Sequence, residues 1–138
     1  MKTSLFLLGS VLLFGFVQSA LAINSDITLT PPSLVDTSGQ KISDFHSGQQ
    51  IGVESTLTNN GESEQKFTYL VQVMDRNGGT DFLEGFSASM LPNQSFTASQ
   101  VWIPKTPGQY TLEVFVWNSL SSAIPLTDVL HTTITVNW

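Results

Sequence analysis

The feature that most narrows what this chain can fold into is the period of its hydrophobic pattern. From Ile23 onward apolar and polar residues alternate, and no stretch repeats at helical spacing. Successive side chains of a strand point to opposite faces, so a period of two calls for sheets with one face buried. Turn-forming clusters interrupt the alternation: Pro31-Pro32, Asn59-Asn60-Gly61, Asn77-Gly78-Gly79, Leu91-Pro92-Asn93-Gln94 and the run from Pro104 to Gly108. Between them lie expected strands over residues 27–30, 50–59, 65–75, 81–86 (short and weak), 95–103, 110–117 and 128–136. Seven or eight short strands at this spacing read as an all-β antiparallel β-sandwich.

The phase of each strand names the core. Ile51, Val53, Leu57, Phe67, Tyr69, Val71, Val73, Phe96, Leu112, Val114, Val116, Ile134 and Val136 occupy the apolar phase. Strand 110–117 carries a second, less usual phase: Thr111, Glu113, Phe115 and Trp117. An unpaired Glu113 is costly to bury, so this phase faces outward and takes the two aromatics with it. In an immunoglobulin-like order the flanking strands add Leu70, Met74, Val129 and His131. The six residues Leu70, Met74, Phe115, Trp117, Val129 and His131 form a candidate contact patch, open or covered by the 119–125 loop or the first strand.

The N-terminus follows a different grammar. Lys2 gives one positive charge, residues 5–17 contain no ionisable group, and Ala20-Leu21-Ala22 is a small-x-small cleavage site. Residues 1–22 thus read as a signal peptide helix, cut before Ile23, with residues 23–138 as one domain of 116 residues. Residues 5–22 also reach the lower limit for a spanning helix, so a retained membrane anchor, pilin-like, is the second reading. No second anchor is expected at the C-terminal side, where the pattern stays that of a strand.

Export makes the absence of cysteine informative. With none in the chain, disulfides, thiolate nucleophiles, zinc–cysteine sites and lipid-modified cysteines are all excluded. The domain must be held by its core. Without Lys2 the balance is four cations (Lys41, Lys66, Arg76, Lys105) against eleven acids, a net charge of −7. That argues against nucleic acid, whose recognition needs a basic face.

Few residues suggest chemistry. His46 and His131 lie far apart in sequence with no ligand-spaced neighbour, so neither a metal nor any other cofactor is expected. Serines are plentiful, yet no Gly-x-Ser-x-Gly elbow occurs, and the chain reads as a non-enzyme. The segment Asp75-Arg76-Asn77-Gly78-Gly79-Thr80-Asp81 lacks the order of a calcium loop and reads as a hairpin turn. Asn93-Gln94-Ser95 is an N-glycosylation sequon at a turn, which makes Asn93 a candidate modification site.

One segment carries a family signature. Pro107-Gly108 feeds Tyr110-Thr111-Leu112-Glu113-Val114, and a Thr58-Asn59-Asn60-Gly61 turn separates Val53–Leu57 from Phe67–Val73. This resembles immunoglobulin-like modules, and in particular the cell-adhesion-related bacterial and archaeal domain CARDB. Together with Val101-Trp102-Ile103-Pro104-Lys105 and Val114-Phe115-Val116-Trp117, the likeness extends to small exported archaeal surface proteins. It implies an extracytoplasmic, secreted or cell-surface, adhesive or binding module whose partner is a protein or cell-surface component. A membrane contact is implied only if the N-terminal helix is retained. The resemblance supplies no catalytic residue. On the residues alone, Tyr110 is placed for a tyrosine-corner hydrogen bond to nearby backbone.

Overall fold

The computed structural model describes residues 25–138, so the expected signal segment lies outside the described residues. Nine strands form two sheets. One contains β1 (Ile27–Leu29), β2 (Ser33–Val35), β4 (Ile51–Asn59) and β7 (Ser95–Trp102). The other runs β3 (Phe45–His46), β9 (Leu130–Asn137), β8 (Gly108–Trp117), β5 (Gln65–Asp75) and β6 (Thr80–Met90). All pairings are antiparallel except β3 on β9. The sheets face each other across one core, which is the sandwich expected from the pattern.

The strand phases place that core. Ile51, Val53 and Leu57 of β4, Phe67, Tyr69, Val71 and Val73 of β5, and Leu112, Val114 and Val116 of β8 are fully buried, and Ile134 and Val136 of β9 join them. Phe96 is the correction: it keeps 37% of its surface exposed. It stands at the start of β7, an edge strand, and packs sideways on Phe67 and Phe86 at centroid distances of 6.1 and 5.6 Å. The deep aromatic of β7 is Trp102, which meets Tyr110 edge-on at 4.9 Å and donates Nε1–H to Asp81 Oδ2 at 2.8 Å. That bond ties β7 to β6 across the two sheets.

β6 is longer than the expected 81–86 strand. Its second half carries small residues, Ser87 and Ala88, and Met90 plugs the core at zero exposure. Two short strands, β2 and β3, were not expected, because Pro31-Pro32, Gly39 and Gly48 break residues 31–48 into pieces too small to show alternation. These pieces divide their pairing: β1 and β2 lie on β4, and β3 lies on β9.

The turns behave as their residue types dictate. Asn59 is buried, and its side chain donates to Ser63 O and Met90 O while accepting from Gly61 N. One side chain thereby fastens the β4–β5 loop to the end of β6. Asp75 Oδ1 accepts from Asn77 N and Gly79 N at 2.9 Å each, which makes the calcium-loop lookalike a hairpin turn. Tyr110 donates to Thr106 O at 2.7 Å, the tyrosine corner.

Candidate functional site

The register of β5, β8 and β9 decides what shares the outer face of the five-stranded sheet. Directly opposed residues of an antiparallel pair point the same way. Leu70 opposes Phe115, Met74 opposes Thr111, Thr68 opposes Trp117, and Glu113 opposes His131. Leu70, Met74, Phe115, Trp117 and His131 therefore lie on one face, as their phases require. Val129 sits one residue before β9 and is exposed.

The face has a built centre. Leu70 is only 8% exposed although it points away from the core. Its neighbour on β6 is Gly85, where an added Cβ would run into Tyr69 O and Leu70. Without a side chain at 85, Leu70 lies down toward β6. On its other side Phe115 and Trp117 stand 5.8 Å apart at 55°, both partly exposed. Gln72, Glu113, His131 and Ser87 form a polar surround. A partly desolvated aromatic pair inside a polar rim is the anatomy of a contact surface.

Two observations bear on the coverings weighed from sequence. β1 belongs to the opposite sheet and does not cross this face. The 119–124 loop turns back on itself, and Pro125 bridges Trp117 in the plane of the sheet. The sheet edge offers less. Glu84 opposes Val71, so it stands on the inner phase of edge strand β6. An inward charge on an edge strand opposes addition of another strand.

The histidines do not meet. His46 lies opposite Asn137 and His131 lies six residues earlier on β9, roughly 20 Å along the strand. His46 bonds Asp44 Oδ2 at 3.0 Å and Trp138 O at 2.9 Å. Its pKa is raised above the ordinary imidazole value by the Trp138 carbonyl first, and then by the Asp44 carboxylate. Among the described residues no group of three metal-ligating side chains gathers. Asn93 occupies an exposed turn at φ 61° and donates its N–H to Asn59 O.

Sequence reasoning found the outer aromatics through Glu113. It missed the two features that shape the face, Gly85 and the burial of Leu70. A glycine in the middle of a strand was the available signal, because it marks a close approach.

Comparison with known proteins agrees with this fold. The chain is similar to the CARDB domain of a Pyrococcus furiosus protein, solved in complex with di-metal ions: 16% identity, TM-score 0.58, covering 81% of this chain and 93% of that one. It is also similar to part of a Listeria innocua β-glucosidase bound to isofagomine, at 15% identity and TM-score 0.62, covering 83% of this chain and 16% of that one. A Pseudomonas fluorescens alkylpurine DNA glycosylase shares the fold at 12% identity and TM-score 0.58, over 83% of this chain and 31% of its own. Likenesses this distant, to proteins of such different activity, speak for the fold and not for a shared function. No curated protein matches the chain in sequence. A family model described as S-layer A-like matches residues 14–137, nearly the whole chain, and on that match the protein belongs to the S-layer A-like family.

Proposed function

We propose that this protein is a non-enzymatic binding module of a cell-surface assembly. The outer face of its five-stranded sheet engages a protein or other surface component. The observation that carries the reading is the partly exposed Phe115–Trp117 pair seated against Leu70 inside a polar rim. Met74, Val129 and His131 extend the face on either side. Membership of the S-layer A-like family supports a cell-surface, extracytoplasmic location. The expected export segment at residues 1–22 fits it, and a native chain beginning at Ile23 by N-terminal mass spectrometry checks its removal. The acidic balance and the scattered histidines favour binding over nucleic-acid recognition or catalysis.

The test is capture from a native surface fraction. Phe115→Thr combined with Trp117→Ser should lose the partner while the cooperative unfolding transition persists. Retained capture, or loss of the folded state in the double variant, assigns these rings to packing instead.

A further inference from the structure

Exposed apolar side chains gather at the end of the sandwich where β1 begins. Leu91 in the β6–β7 turn is 60% exposed, and Leu120 and Ile124 in the β8–β9 connection are 63% and 56% exposed. The connection that presents the last two is held by its own hydrogen bonds. Asn118 Oδ1 accepts from Ile124 N at 3.1 Å and from Ser122 Oγ at 2.6 Å. Ala123 N donates to Ser119 O, and Asn118 N donates to Ile124 O, each at 2.9 Å. The loop thus satisfies its polar groups internally and holds its apolar tips outward. From Val114 to Thr127 no residue is ionisable.

The same end receives the chain from its apolar N-terminal run. Asp26 is fastened there, its carbonyl accepting from Asn60 N at 2.9 Å. Residues 5–22 contain no ionisable group, and only Ile23 and Asn24 separate them from Ser25. Three residue steps reach at most about 11 Å. A bilayer that takes up residues 5–22 therefore lies close against the tips of this end.

We propose that this end of the sandwich docks on a lipid surface, with Leu120 and Ile124 entering the headgroup region. Charge selects the lipid. Asp26, Glu62, Glu64 and Asp128 lie on the connections at this end with Lys66 as the opposing cation, so neutral headgroups are favoured over anionic ones. The surface is distinct from the sheet face assigned to partner binding, and the docking belongs to the chain that retains residues 5–22, not to a chain cut before Ile23.

The test uses the full chain, whose lack of cysteine permits a single label. Leu120→Cys carries an environment-sensitive dye, and Asn77→Cys carries the same dye at the opposite end. Phosphatidylcholine vesicles should blue-shift and brighten the label at 120 and leave the label at 77 unchanged. Vesicles one-third phosphatidylglycerol should give a smaller response. Leu120→Asp with Ile124→Asp should lower partition of the chain by roughly tenfold with its sheet circular dichroism intact, since interfacial binding scales with buried apolar area. If labelling at 120 disturbs that dichroism, Ile124→Cys takes its place. Vesicle binding with no response at 120 would assign the attachment to residues 5–22 alone. A response at 120 that needs no vesicles would assign the tips to a second copy of the chain. Either result overturns the proposal, as does an equal response at 77.

Discussion

Ser55 lies in the middle of β4 opposite Ala98, and its Oγ is buried with no hydrogen-bond partner among the described residues. The nearest polar group is the Tyr69 phenol, whose pKa burial raises and Ser55 pulls down, at a geometry too poor for a full hydrogen bond. Ser55→Ala should therefore change stability by no more than about 1 kcal/mol, read from the urea midpoint. Its neighbour Tyr69 is the contrasting case: burial pushes its phenol up to about 12, and its O–H donates to Val53 O at 3.3 Å. His46 is exposed, so its effect shows in pH dependence and not in a large energy. Both ring nitrogens face acceptors, Trp138 O and Asp44 Oδ2, and only the imidazolium can donate to both. Its folded pKa is raised above the unfolded value of about 6.5. Its contribution to stability is therefore complete below about 6.5 and disappears as pH rises through the raised folded value. The urea midpoint of the native chain should fall over that window, and His46→Gln should remove that component of the slope.

Among the elements, β8 is the strand on which most depends, since it pairs with both β5 and β9 and sends side chains to both faces. Leu112 is fully buried at its centre, and Leu112→Ala should cost about 2–5 kcal/mol in chemical denaturation. β6 offers a different measurement. Gly85→Ala places a methyl group against Tyr69 O and within 2.7 Å of Leu70 Cδ2. The β5–β6 pairing must shift to take it, at a cost of about 1–3 kcal/mol. These two strands also show what is legible in a sequence. β8 alternates without interruption and reads directly as a strand with two assignable faces. β6 carries glycine at 85, a charge on its inner phase at 84 and small residues after Phe86, so only its first half shows a strand pattern. Phe96 and Trp102 share one phase of β7, yet Trp102 is buried and Phe96 is not. Phase assigns a face of the sheet; position along an edge strand decides the depth, and position comes only with the second sheet.

At the scale of the molecule, two sheets close over one core without disulfides, and no metal-ligating cluster forms among the described residues. Chelator treatment should leave the melting temperature unchanged; a fall of several degrees reversed by calcium or zinc would reveal a site that the side chains do not suggest. The outer apolar face was legible in outline because Glu113 fixes the direction of Phe115 and Trp117. Its depth was not legible, since Leu70 owes its burial to a glycine on a strand that sequence could only half define. The long axis holds a further consequence. Ser25 enters beside the β4–β5 loop, whereas Trp138 leaves at the other end, beside β3. Tension drawn between these two points runs parallel to the strands. Inter-strand hydrogen bonds lie across that direction, so they are loaded side by side in shear and must yield together. The order of failure then follows from pair length: the two-residue β3–β9 contact, with His46 holding Trp138, and the three-residue β1–β4 contact release before the seven-residue β8–β9 ladder. Pulled along that line, the sandwich would give way first at the short clasps on its two ends and last along its central ladders.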